Sequence, residues 1–366
     1  MEGKPVLEQL SAYKPGKQVK DIQNEYGLSR IVKLASNENP YGCSKKVETF
    51  LTDNIKELNI YPDGNAGELR KTVADKWQVT ESQLVFGSGS DEIVQMLCRA
   101  FLAPGLNTVM ATPTFPQYRH HALIEGAEVK EVPTIEGKHN LEQMLQMVNE
   151  NTKIMWLCSP NNPTGGIISK NQLHEFMLKC PKHVLIVLDE AYYEYLSKEF
   201  DLSAITLLSQ HKNLIILRTF SKAYGLAGLR VGYGIADESV ISKLNVVRGP
   251  FNTSSIAQKA AVIAIQDESF LDETLGYNVE VKHDFEKFLD QIKWGYYPTE
   301  TNFILVKTPI SGMEVFDFLL KRGFIVRPGE LLGCPQTVRI TLGQKDDMKE
   351  LQRILYELEQ QVSKER

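Results

Sequence analysis

The chain has 366 residues and a net charge of −5, from 41 Lys and Arg against 46 Asp and Glu. That length suggests two domains and a core of useful size. Mild acidity with no long block of like charge argues against nucleic acid as the main partner.

The first stretch, "MEGKPVLEQLSAYKPGK", lacks the apolar core of a signal peptide, and no run approaches the length of a membrane span. No membrane association is therefore expected. Five cysteines, at 43, 98, 158, 180 and 334, are odd in number and widely spaced, with no C-x-x-C pair. Neither a disulfide framework nor a zinc site is indicated, no metal is expected, and a reducing cytoplasm fits.

In chain order, the first thirty residues read as an extended arm with Pro5, Pro15 and Gly16. From about residue 66 to 236, short β-rich runs alternate with helical ones. Strands are expected at 84–86, 107–111, 127–132, 153–158, 184–188, 213–217 and 231–236. "DEIVQMLCRAFL" carries apolar residues at helical spacing, and "SKNQLHEFMLKC" opens on a capping box of Ser169 and Gln172. The runs at 184–188 and 213–217 are apolar throughout, as in a parallel sheet buried on both faces. Such alternation predicts a three-layer α/β/α domain, with ligands beyond the carboxyl ends of its strands. After about residue 245 come two helices, the strand "NFILV", a helix from about 312, "FIVRP", "VRITL" and a charged final helix. This reads as a smaller α+β domain. The expected division is an arm at 1–30, a large domain at 31–245 and a small one at 246–366.

Several motifs fall on the carboxyl edge of that sheet. "VFGSGSDEIVQ" runs strand, Gly-rich turn, helix, and reads either as a phosphate cradle or as a structural turn. A nicotinamide dehydrogenase is disfavoured. Glu92 stands where its fingerprint needs a third glycine, and no acidic residue follows at the required distance. "CSPNNPTGG" offers Asn162, either in a plain turn or aimed into the crevice. "VLDEAYYEY" puts Asp189 after an apolar strand, with Tyr192 three residues on. A buried Asp needs a cationic partner, unless this one simply caps the next helix. "RTFSKAYGLAGLRVGY" places Ser221, Lys222 and Arg230 among small and apolar residues. Together these residues form the set that pyridoxal phosphate requires. Its aldehyde needs a lysine amine, its ring nitrogen a carboxylate, its phenolate oxygen donors, and its phosphate N–H groups and a cation.

At these residues the chain resembles the fold-type I pyridoxal-phosphate aminotransferases, over nearly its whole length. The resemblance implies a large domain with a mostly parallel central sheet and a smaller C-terminal domain. It makes Lys222 the Schiff-base lysine and general base, with Asp189 on the pyridinium nitrogen. Tyr192 and Asn162 would donate to the phenolate oxygen. Ser221, Arg230 and the backbone at Ser90 and Asp91 would hold the phosphate, and Phe115 would stack on the ring.

"LASNENPYG", "YPDG", "FGSGSDE", "SPNNPTG", "LDEAYYEY", "FNTS" and "IVRPG…VRIT" are similar to one subgroup, the histidinol-phosphate aminotransferases. That likeness implies transamination between L-histidinol phosphate and 2-oxoglutarate in histidine biosynthesis, giving imidazole-acetol phosphate and L-glutamate by a ping-pong route. It also implies a homodimer in which Tyr61 reaches the partner's cofactor phosphate, and Tyr13 closing over substrate. Arg339 alternates with Val338 and Ile340, and Arg327 follows Ile325 two residues on. By resemblance these two arginines anchor the substrate anion, since a guanidinium accepts phosphate or carboxylate alike. Rival readings are an aromatic (Phe/Tyr) aminotransferase, a related pyridoxal-phosphate decarboxylase and a catalytically silent binding relative. Whether Asn252 touches ligand is open. His120 and His121 read as solvated helix residues.

Overall fold

The computed structural model describes residues 3–10, 25, 27–53, 58–200 and 204–365. Its strands, in chain order, are β1 (Val32–Lys33), β2 (Leu84–Gly87), β3 (Asn107–Thr112), β4 (Glu128–Pro133), β5 (Thr152–Cys158), β6 (Leu185–Asp189), β7 (Leu214–Thr219), β8 (Gly232–Ala236), β9 (Phe303–Lys307), β10 (Phe324–Ile325), β11 (Arg327–Pro328) and β12 (Thr337–Thr341).

The main sheet runs β2-β8-β7-β6-β5-β3-β4. Only β8 opposes its neighbours, being antiparallel to both β2 and β7. The remaining pairs are parallel. This is the mostly parallel α/β sheet that the alternation of elements predicts. Side chains of a strand alternate between faces, and the central strands show both faces buried. Ile186 and Leu188 of β6, with Leu214 and Ile216 of β7, enter one core. Leu185 and Val187, with Ile215 and Leu217, enter another. An unbroken apolar run is therefore what a strand at the centre of this sheet needs.

Helices cover the sheet. Ser90–Phe101 buries Ile93, Val94, Met96, Leu97 and Cys98. Lys170–Lys179 starts on the expected capping box, in which Gln172 N–H donates to Ser169 Oγ (3.4 Å) and Ser169 N–H donates to Gln172 Oε1 (3.0 Å). The helix Ser255–Gln266 adds Ala257, Ala260, Ala261, Ala264 and Ile265 to the same core as Ile186 and Leu188.

A second, antiparallel sheet has the order β11-β12-β9. With the helices Glu268–Gln291, Gly312–Leu320 and Lys345–Glu365 it encloses a further core, including Phe285, Leu289, Ile304, Val338, Ile340, Leu351 and Leu355. Near the N-terminus, β1 pairs in parallel with β10, and Leu34 enters this C-terminal core. Ala35, Ser36 and Asn37 are thereby carried to the carboxyl edge of the main sheet.

Candidate active site

Four segments converge at that edge. They follow β2, β5, β6 and β7. The last residue of β6 is Asp189, 3% exposed. Its Oδ2 accepts from the Tyr118 hydroxyl at 2.6 Å and its Oδ1 from the Ala191 N–H at 3.1 Å. Burial pushes its carboxyl up to about 6, while the two donors pull the other way. Both donors are neutral, and Asp189 forms no ion pair among the described residues.

Lys222 lies three residues beyond the end of β7. Its Nζ donates to the Ser36 carbonyl at 3.2 Å and sits 5.7 Å from the centre of the Tyr192 ring. Burial lowers its ammonium to about 8, and the Arg339 charge adds to the effect; Asp91 and Glu38 oppose it. An amine in this state sheds its proton near neutral pH, as an imine-forming lysine must. Tyr192 is buried, and its hydroxyl oxygen accepts from the Asn37 amide at 2.9 Å. The Tyr192 proton is thus free for another acceptor.

The turn after β2 has the features of an anion cradle. The helix Ser90–Phe101 begins with no side-chain cap, and its first acceptor position is Gly89 at φ +78. The N–H groups of Ser90 and Asp91 stand at that open N-terminus. A Cβ on Gly89 would lie 2.5 Å from Arg230 Nη2, and one on Gly232 would lie 2.6 Å from the Ser90 nitrogen. Glycine is required at Gly232 because backbone crowds in, and it is favoured at Gly89 by the positive φ. Arg230 itself adopts φ +53, uncommon for a residue with a side chain. Its Nη1 donates to Ser221 Oγ (3.3 Å) and its Nη2 to the Ser88 carbonyl (3.3 Å), with the Asp91 carboxylate 3.7 Å away. Guanidinium, hydroxyl and helix N-terminus meet at one point, and a phosphate monoester fits that donor set.

The antiparallel register sets Arg327 of β11 directly opposite Arg339 of β12. Directly opposed side chains share a face, and like charges in that relation repel. Arg339 is buried. Its Nη1 donates to Asn162 Oδ1 at 2.6 Å, its Nη2 to the Ala35 carbonyl at 2.7 Å, and its guanidinium lies 5.3 Å from the Phe303 ring centre. An anion between two such arginines relieves their repulsion.

One cavity of about 460 Å³ is lined by Ser90, Asp91, Phe115, Asn162, Asp189, Tyr192, Ser221, Lys222, Arg230, Arg327 and Arg339. Tyr61 does not line it. That ring is 79% exposed and stacks on Phe251 with centroids 4.7 Å apart. Asn252 does not line the cavity either, and its amide donates to the Phe86 carbonyl and to Glu92. Tyr13 lies outside the described residues. His120 and His121 also lie off the cavity, and both are half-buried, where the sequence suggested solvated positions. Packing of their short helix on the sheet is the reason.

Two residues at the site escape the sequence reading. Asn37 lies inside "LASNENPYG", a motif whose residues carry no chemistry individually. Tyr118 follows Phe115 by three positions and reads as ordinary helix core. Among the described residues no group of three or more His, Cys, Asp or Glu could hold a metal ion, and no helix is long and apolar enough to cross a membrane.

A lysine with a depressed pKa, an isolated buried carboxylate and an anion cradle on one α/β sheet edge define a site built for an anionic, electrophilic cofactor. The chain belongs to the class I and II aminotransferase family, whose model matches residues 29–355. It is 56% identical to histidinol-phosphate aminotransferase 2 of Oceanobacillus iheyensis over 363 residues, 99% of this chain and 100% of that protein. The histidinol-phosphate aminotransferase of a Geobacillus species is 51% identical over 362 residues, 99% of this chain and 98% of that one. Among solved structures, the Sinorhizobium meliloti histidinol-phosphate aminotransferase in complex with pyridoxal-5'-phosphate superposes with a TM-score of 0.90 at 24% identity, covering 98% of each chain. At that identity the likeness speaks for the fold.

Proposed function

We propose that this chain is a pyridoxal-phosphate-dependent transaminase that takes the amino group of L-histidinol phosphate and gives it to 2-oxoglutarate. The products are imidazole-acetol phosphate and L-glutamate, in histidine biosynthesis. The names of its full-length relatives support the substrate. The observation that carries the reading within the molecule is the opposed pair Arg327 and Arg339, which line the same cavity as Lys222. One donor bears a phosphate and its counterpart a carboxylate, and paired guanidinia accept either.

The bound cofactor supplies an aldehyde and an electron-withdrawing ring that stabilises negative charge at the carbon losing its proton. Asp189, a buried carboxylate with neutral donors at both oxygens, would pair with the ring nitrogen and keep it protonated. The Tyr192 hydroxyl would donate a hydrogen bond to the phenolate oxygen, and the Asn162 amide, whose oxygen accepts from Arg339, would offer its NH₂ group to the same acceptor. Ser90 and Asp91 N–H groups, Ser221 and Arg230 grip the phosphate. Phe115 covers a ring face. Lys222, its ammonium lowered by burial, would hold the cofactor through its amine and, when that amine is free, would take the proton from the amine-bearing carbon of the substrate as general base.

The working unit in this proposal is a homodimer. Leu58, Ile60, Tyr61, Val246 and Phe251 are exposed apolar side chains on nearby segments, and Tyr61 would extend from this face to the partner's cofactor phosphate. Tyr13, on the 1–30 arm, would close over substrate. The proposed body of the chain is a large unit at 31–245 and a small one at 246–366, but packing crosses that division: the helix Ser255–Gln266 shares the core of the large unit, and Leu34 that of the small one. A cytoplasmic setting completes the proposal. Neither the aromatic aminotransferase nor the decarboxylase reading has an observation in its favour.

A half-reaction titration tests the substrate. The protein is loaded with pyridoxal phosphate, its visible absorbance is followed, and L-histidinol phosphate, phenylalanine, tyrosine or glutamate is added without acceptor. Conversion at low histidinol phosphate and at glutamate, with weak response to the aromatics, is expected. Response to aromatic amino acids alone would move the substrate and leave the chemistry.

A further inference from the structure

We propose that Tyr118 is a positioning residue for the cofactor ring: its hydroxyl fixes the Asp189 carboxylate while its ring edge supports Phe115, so that one side chain sets both groups that meet the ring. The inference rests on the pyridoxal-phosphate reading above.

Tyr118 is fully buried. It lies in the first turn of the helix Gln117–Ile124, three residues beyond Phe115. Its ring stacks on Trp156 with centroids 4.6 Å apart and planes at 10°, and meets Phe115 edge-on at 5.4 Å and 73°. Trp156 is in turn fixed, because its Nε1–H donates to Thr108 Oγ1 at 2.8 Å and the Thr108 hydroxyl donates to the Ile154 carbonyl at 2.8 Å. The Tyr118 ring therefore sits on a hydrogen-bonded platform across β3 and β5.

From that platform its hydroxyl reaches Asp189 Oδ2 at 2.6 Å. A buried hydroxyl without an acceptor is costly, and so is a buried carboxylate without donors. Each group satisfies the other. Burial pushes the Tyr118 phenol well above its ordinary range, and the Asp189 charge adds to this, so the tyrosine stays the donor. The Ala191 N–H holds the other carboxylate oxygen. Two donors at two oxygens fix the carboxylate plane, and each oxygen keeps a lone pair for a further donor. A free-turning carboxylate would lose orientation entropy on meeting a ring nitrogen, whereas this one is oriented beforehand.

The experiment is a double-mutant cycle on cofactor affinity, with pyridoxal phosphate titrated into the cofactor-free full chain and its quenching of protein fluorescence followed. Y118F keeps the ring on Trp156 and removes only the hydroxyl. It is expected to weaken binding by about tenfold, the size of one hydrogen bond to a charged group. In a D189A background the same substitution is expected to change affinity by less than about twofold, since the hydroxyl then has no carboxylate to orient. An equal loss in both backgrounds would assign the effect to packing and overturn the proposal, as would unchanged affinity in Y118F alone. Failure of the wild-type chain to bind pyridoxal phosphate would instead bring down the functional reading itself, so the two failures are told apart by the wild-type titration.

Discussion

Arg218 and Lys222 are cations four residues apart at the end of β7, and they have opposite fates. Arg218 is buried, with Nε and Nη2 both donating to Glu190 Oε2 at 2.9 and 2.7 Å. Its guanidinium lies 4.0 Å from the centre of the Trp77 ring and 3.5 Å from that of Tyr193. Burial is the largest single influence and works against its charge, but Glu190, Tyr233, Tyr193 and Glu194 together outweigh it, and the guanidinium is held more firmly protonated than usual. Lys222 is desolvated too, yet its strongest electrostatic neighbour is another cation, Arg339. The carboxylates divide the same way. Asp189 and Glu190 are consecutive, and successive residues of an extended chain point to opposite sides. Glu190 meets Arg218 behind the sheet end, while Asp189 meets neutral donors at the cavity. The ends of β6 and β7 thus carry a closed ion pair, Glu190 with Arg218, beside an acid and a base, Asp189 and Lys222, that line the cavity without a counter-charge in contact among the described residues. Burial alone does not mark a functional charge; burial without its counter-charge does.

Substitution should separate the two cations cleanly. Lys222→Ala is expected to cut steady-state turnover by at least about 10³-fold, since in the proposed function this residue both attaches the cofactor and acts as general base. Its denaturant midpoint should stay at or above that of the wild type, because a desolvated amine is lost. Arg218→Ala is expected to do the reverse. It leaves Glu190 charged and buried without its guanidinium, and unfolding free energy measured by urea titration should fall by about 3–5 kcal/mol. Turnover per folded molecule should change far less than in the Lys222 variant. An Arg218 variant as stable as the wild type but inactive would erase the distinction.

The part of this contrast visible in the sequence follows from chain-local physics. β6 and β7 are legible because continuous apolar runs have few other homes, and Asp189 stands out as the charge that ends one of them. The strand-end placement of Lys222 follows by the same logic. Arg339 is legible through alternation, but its position opposite Arg327 is not, because register depends on the turn between β11 and β12. Contacts at long range are hidden altogether. The Tyr118 hydroxyl meets a residue 71 positions away, and Asn37 meets one 155 away. The two-residue strands β1 and β10 have no period to read, so nothing in the sequence places Leu34 in the C-terminal core. The Arg218 pair sits within quoted motifs and passes unnoticed, since sequence shows neither its burial nor its aromatic cage.

The mildest test of the comparison is the pH dependence of stability without cofactor. In the unfolded chain Lys222 titrates near its ordinary 10.5, and in the folded chain near 8. Between those values the unfolded state binds the extra proton, so folding stability rises with pH across this window. Below about 8 the amine is charged in both states, and the cost of burying that charge is present in full. Lys222→Met removes the titrating group. The melting temperature of the cofactor-free wild type, measured against this variant, should therefore climb as pH is raised from about 8 toward 10.5. Glu194, pushed up to about 7 mainly by burial, titrates below that window and is common to both proteins, so it cancels. Parallel melting curves across the window would mean that Lys222 keeps an ordinary ammonium in the folded chain, and the contrast with Arg218 would then be one of partners alone.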